Sequence, residues 1–224
     1  MKYLILDSGP LINLTQNGLT DIFKKLATEF QGEFIIPDTV KFESIDHPIK
    51  IKRFEWGALR IQQLLNDEII RLPEDEDIVS EKELSEKANE VMSLANNALS
   101  SEGKPIHLIE RGEAECMALS LILSKKGIEN AVVIDERTAR MLCENAQKLK
   151  ELMESKLETK IELNEKNTEK FNGIKVIRST ELMYLANKNR LMDGGRKALE
   201  AILYALKFGG CSISEKEVEI MKNL

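Results

Sequence analysis

The stretch from Lys2 to Leu14 reads KYLILDSGPLINL, and its first half decides the fold. Tyr3 to Leu6 form an unbroken apolar run, the mark of a strand buried on both faces of a parallel sheet. The run stops at Asp7 and Ser8, and the pair Gly9-Pro10 breaks the strand. Asp7 therefore stands at the carboxyl end of a strand, the edge where open α/β sheets place their ligand sites. Aspartate is also a common cap for a following helix. Its meaning depends on whether other carboxylates reach the same edge.

Outward from this strand, Leu11, Leu14, Leu19, Ile22, Phe23 and Leu26 recur at helical spacing, and Asn17-Gly18 divides them into two helices. A second strand is expected at Glu33–Ile36, with Pro37 starting a helix, and a short strand at Glu68–Leu72. RGEAECMALSLILSKKG is a strong helix ended by Gly127. NAVVID is a second buried strand that ends on a carboxylate, Asp135. One long helix is expected from ERTARMLCENAQKLKELMESKLETKI, then a last strand in GIKVIRS. The tail is helical, with Asp193 capping a helix that Gly209-Gly210 closes. Strands alternating with helices predict an α/β fold, a parallel β-sheet flanked by helices on both faces.

The remaining acids are placed to join Asp7. Asp135 ends its strand at the same sheet edge. Glu43 lies on the helix that leaves that edge after the second strand, and Glu113 and Glu115 open the Ala-rich helix before Asp135. Crowded carboxylates repel and raise one another's pKa unless cations neutralise them. Hard oxygen ligands of this kind suit Mg²⁺ or Mn²⁺. Glu113 and Glu115 lie about 200° apart on a helix, so only one points fully inward. Glu115 shares its stripe with Ala118, Leu119 and Ile122 and is preferred, with Glu113 second.

Composition limits the alternatives. The 224 residues carry 32 basic and 38 acidic side chains, a formal net charge of -6. Such a chain does not coat itself with nucleic acid through charge alone. No apolar stretch approaches the roughly 18 residues of a membrane span. The N-terminus lacks a basic segment running into an apolar core, and a cytoplasmic location is expected. Cys116, Cys143 and Cys211 have no CxxC spacing and read as small buried apolar residues. The basic cluster Lys50, Lys52 and Arg53 follows Glu43, and Phe54 and Trp56 beside it either stack on bases or pack into the core. Arg137 lies just beyond Asp135, positioned to touch a phosphate or a helix acid. There is no GxxxxGK[ST] loop and no GxGxxG after a strand.

Four blocks in order, ILDSGPLINL, IIPDTVKFE, RGEAECMALSL and VVIDERTAR, resemble the signature blocks of PIN-domain proteins, in particular a VapC-like subgroup with GEAE and IDER blocks. GIKVIRSTELMYLANKNRLM is similar to that subgroup's last strand and helix. The resemblance spans the chain as a single PIN-like domain, except for two expected helical insertions at about residues 74–104 and 146–170. It implies a Mg²⁺- or Mn²⁺-dependent ribonuclease, often the toxin of a toxin–antitoxin pair, with RNA as substrate, an antitoxin protein as partner and a homodimer as the assembly. The acids it implies are Asp7, Glu43, a glutamate of GEAE (Glu115, then Glu113) and Asp135. The opening block commonly carries a hydroxyl residue where this chain has Gly9, and Ser8 stands in for it. The alternative is a catalytically silent RNA- or protein-binding adaptor on the same fold.

Overall fold

A computed structural model of the chain describes residues 2–74 and 77–224. The chain begins with β1 (Tyr3–Leu6), every residue of which is buried. Asp7 then caps α1 (Ser8–Gln16), accepting a bond from the Gly9 backbone N–H. Gly18, at φ 72°, turns the chain into α2 (Thr20–Glu29). β2 (Glu33–Ile35) runs into α3 (Asp38–Lys41), and the helix widens into a π-helical turn over Phe42–Asp46 that carries Glu43. A 3₁₀ turn (Pro48–Lys50) leads to α4 (Glu55–Asn66).

The expected strand at Glu68–Leu72 is reduced to one parallel bridge between Ile35 and Arg71. Pro73 follows immediately and has no N–H with which to continue a ladder. Next come α5 (Glu81–Asn96), β3 (Leu99–Ser101), β4 (Lys104–Pro105) and α6 (Arg111–Lys125). β5 (Asn130–Val133) is again wholly buried.

The single long helix expected after β5 is two helices, α7 (Arg137–Glu144) and α8 (Ala146–Leu157). They are separated at Asn145 (φ -163°, ψ 89°), whose side chain leaves the helical pattern to accept a bond from the Lys148 N–H. β6 (Glu162–Leu163) and α9 (Glu165–Thr168) precede β7 (Val176–Ile177), α10 (Ser179–Lys188), α11 (Gly195–Phe208) and α12 (Glu215–Met221). Gly194, not Asp193, is the residue at the start of α11. Its φ of +86° and an added Cβ only 2.9 Å from the Ala198 Cβ both demand glycine.

The main sheet has the order β2-β1-β5-β7, and all its pairings are parallel. Helices flank it in the three-layer α/β arrangement that the sequence pattern predicts. Tyr3 pairs with Asn130 and Leu6 with Val133, so the two central strands end side by side. The Asp7 N–H continues that ladder onto the Val133 carbonyl at 3.1 Å. Asp7 and Asp135 thus leave the same edge from adjacent strands. Ile5, Leu6, Val132, Val133 and Ile134 have no solvent exposure; full burial of one such side chain is worth roughly 1.5–3 kcal/mol.

Two segments expected as separate helical insertions, at about residues 74–104 and 146–170, build one structure together and contribute strands as well as helices. β3 pairs antiparallel with β4 and with β6, joining residues near 100 to residues near 162 in a second small sheet. Asn167 Nδ2 donates to the carbonyls of Leu94 and Asn97, and α5 packs along α6. Asp75 and Glu76, in the acidic run that precedes α5, lie outside the described residues. The three cysteines are free and buried, as expected of small apolar side chains. Among the described residues no helix is long and apolar enough to cross a membrane.

Candidate active site

Asp7 is the centre of the acidic edge. Only 6% of its surface is exposed. Burial pushes its carboxyl up from 3.8 to about 7; N–H bonds from Ser8 and Gly9 oppose the rise, and the charges of Glu43 and Asp135 add to it. The Gly9 bond is long, at 3.4 Å. As a helix cap, Asp7 is therefore weakly bonded for a carboxylate so deeply buried.

Glu43 reaches this edge from the π-helical turn. Its Oε2 accepts the Ser8 hydroxyl at 2.9 Å, which ties the residue after Asp7 to the second acid. Partial burial raises its pKa, the Ser8 bond opposes that, and Glu115 and Glu110 reinforce it. Gly112 on α6 makes room for this carboxylate. A Cβ on that glycine would stand 2.8 Å from Glu43 Oε2.

The two glutamates of the GEAE block meet different fates. Glu113 is half-buried, and its Oε2 accepts the Glu110 N–H at 2.9 Å across the first turn of α6. Burial, and after it the charge of Asp7, raise its carboxyl from 4.5 to about 8, with Glu136 and Glu110 adding to the effect. Glu115 faces inward, as its stripe predicts, with 7% of its surface exposed. It is also engaged: Oε1 accepts Arg111 Nε at 2.8 Å and Oε2 accepts the Thr39 N–H at 3.1 Å. Arg111 is held in turn by Asn89 Oδ1 and Ser85 Oγ on α5. α5 therefore supplies the side chains that keep a cation on Glu115.

Asp135 is the most completely bonded of the acids. Its Oδ1 accepts the Ser179 N–H at 2.8 Å, and Oδ2 accepts the Ser179 hydroxyl at 2.7 Å and Asn13 Nδ2 at 3.2 Å. It sits at the N-terminus of α10, where a helix stabilises negative charge. Glu136, not Asp135, caps α7. Asn13 also donates to the Leu206 carbonyl, so this network joins α1, β5, α10 and α11.

Of the predicted substrate contacts, Ser8 lies at the acidic edge. Arg137 opens α7 and is exposed. Lys50, Lys52 and Arg53 are exposed on and just after the 3₁₀ turn; Lys52 pairs with Glu55 at 2.9 Å, and Arg53 lies 5.4 Å above the Phe54 ring. Phe54 and Trp56 do not pack into the core: they are 41% and 72% exposed. Sequence reading missed Asn13, Ser179, Arg111 and Glu136. Asn13 had a signal, a polar residue between Leu11 and Leu14 on an otherwise apolar helix face. Arg111 had another, its spacing of four residues from Glu115.

Asp7, Glu43 and Glu113 offer hard oxygen donors, and burial with mutual repulsion makes their charged forms costly, a situation that a divalent cation relieves. Among the described residues no group of three His, Cys, Asp or Glu side chains is gathered closely enough to hold an ion as it stands. Mg²⁺ is commonly held by one or two carboxylates with water completing its shell, and the donor set at this edge fits that manner of binding. No family model, curated protein or solved structure matches this chain.

Proposed function

We propose that the chain is a PIN-like, Mg²⁺- or Mn²⁺-dependent endoribonuclease that hydrolyses phosphodiester bonds in RNA at the Asp7 edge of its sheet. The observation that carries the reading is the electrostatic state of Asp7. It is a carboxylate at the end of a central strand, buried, and acted on by other carboxylates rather than by a cation. A fold tolerates such a group chiefly where function needs it.

When bound, the metal ion supplies neutralisation of the scissile phosphate and a lowered pKa for water. The chain's own residues supply position. Asp7 and Glu113 would hold the ion, with Glu43 beside them, oriented by the Ser8 hydroxyl. Asp135, fixed by Ser179 and Asn13, keeps the neighbouring strand end in register and adds negative charge. Without the ion, burial holds the Asp7 carboxyl up at about 7, and a bound cation would favour its charged form. Glu115, neutralised by Arg111, holds α6 against α3 through the Thr39 N–H. A toxin role, an antitoxin partner and a homodimer belong to the same proposal and draw their support from the family blocks alone.

The adaptor reading is favoured by one observation: Glu115 and Asp135 are already bonded to partners of the fold. Cleavage of a mixed RNA pool with added Mn²⁺, comparing the natural chain with Asp7→Asn, separates the two. Cutting that needs metal and disappears in the variant supports the ribonuclease. Equal cutting by both points to a contaminant, and neither cutting nor Mn²⁺ binding favours the adaptor.

A further inference from the structure

A groove of about 250 Å³ opens between α1, the π-helical turn, the 3₁₀ turn and α4. Its wall is mainly apolar, with Ile12, Ile51, Phe54, Gly57 and Ile61, yet Glu43 also lines it. The groove thus touches the acidic edge described above. Its volume lies below the range of about 300–1,000 Å³ that takes a drug-sized ligand, and it suits one flat ring system. Lys50, Lys52 and Arg53 stand exposed at this end of the chain's surface, with the Arg53 guanidinium over the Phe54 ring. In a chain of net charge -6 this is a local reversal of sign. The Lys52–Glu55 pair is exposed and offsets little of it.

An apolar slot with an aromatic wall takes a ring out of water, and adjacent cations take anionic groups attached to that ring. A nucleotide carries both. We infer that the groove seats one unpaired base of single-stranded RNA, stacked on Phe54, while Lys50, Lys52 and Arg53 hold the flanking phosphates. This rests on the ribonuclease reading and deepens it by adding a base-binding subsite beside Glu43. A duplex keeps its bases paired and stacked and has none to offer. The seat adjoins the acidic edge through Glu43, which lines the groove and accepts the Ser8 hydroxyl.

The test is direct binding of a labelled ten-nucleotide single-stranded RNA, read by fluorescence anisotropy in EDTA so that nothing is cut. The chief variant is Gly57→Leu. A Cβ at Gly57, which lines the groove, meets nothing within 4 Å, so the substitution starts from open space on the groove wall. Leucine is also a better helix former than glycine, and a melting curve matching wild type separates lost binding from unfolding. Gly57→Leu and Phe54→Ala should each weaken binding roughly five- to a hundredfold, the value of one stacked base. A sugar–phosphate strand without bases should bind weakly, and equally to wild type and Gly57→Leu. Unchanged RNA binding by Gly57→Leu, or a baseless strand that binds wild type as tightly as RNA, overturns the seat. Failure of wild type to bind any RNA also overturns it and leaves the groove to an apolar protein segment. Base-dependent binding without any Mn²⁺-dependent cutting would keep the seat and sink the ribonuclease. Asp7-dependent cutting that Gly57→Leu leaves untouched would do the reverse.

Discussion

Asp7→Asn should stabilise the protein at pH 8 and change its stability little near pH 4. Burial, with the charges of Glu43 and Asp135, raises the folded carboxyl from 3.8 to about 7. The unfolded chain releases this proton at the ordinary value. Between the two values the folded state binds more protons than the unfolded one, so stability falls as pH rises, and above pH 7 the full loss is present. A rise from 3.8 to about 7 corresponds to roughly 4 kcal/mol. Asparagine keeps the shape and an oxygen for the Gly9 N–H but carries no charge. After side-chain relaxation, the variant should gain roughly 2–4 kcal/mol at pH 8, a Tm increase of roughly 5–15 °C for a chain of this length. Near pH 4 the folded aspartate is already neutral and the gain should vanish. Urea unfolding of both proteins at pH 4 and pH 8, in EDTA, measures the difference. No gain at pH 8, or the same gain at both, would refute the claim that an uncompensated buried charge strains this edge.

Gly112→Ala places a Cβ 2.8 Å from Glu43 Oε2. Cleavage should fall roughly tenfold or more through displacement of the carboxylate, while Tm holds or rises, because alanine favours the helix; parallel cleavage and melting curves check this. Arg111→Met leaves Glu115 buried with only the Thr39 N–H and should lower stability by roughly 1–3 kcal/mol. Adding Glu115→Gln should recover most of that loss, as a double-mutant cycle in urea would show. Gly209→Ala brings a Cβ to 2.0 Å from Asn13 Oδ1 and 3.0 Å from Asn17 Nδ2, so Asn13 must move and loosen Asp135. A destabilisation of roughly 1–3 kcal/mol is expected, read as a lower melting temperature.

The strands of the main sheet and the first helices were legible because their patterns are local. β1 and β5 are continuous apolar runs, and Asn17-Gly18 marks the break between α1 and α2. What escaped was decided at a distance or by one side chain. Helical spacing runs unbroken from Leu142 to Leu149, and nothing in it tells that Asn145 will cap the next turn rather than continue the last. β4 and β6 are two residues each, too short to carry an alternation, and exist because β3 lies alongside both. The small sheet needed two distant segments to meet, which neither segment predicts alone.

At the site, residue type was legible and electrostatic state was not. Periodicity correctly turned Glu115 inward, but facing inward says nothing about which partners wait there. Ser85 and Asn89 of α5 fix Arg111, and Arg111 neutralises Glu115. Glu113, on the less buried side of the same helix, is raised by burial and then by the charge of Asp7, with no such cation against it among the described residues. The acid that periodicity ranks second is therefore the one whose charge is coupled to that of Asp7. α5 takes part in this division of roles, because Ser85 and Asn89 hold the guanidinium that pairs with Glu115, at an edge that also holds Asp7, Glu43 and Glu113.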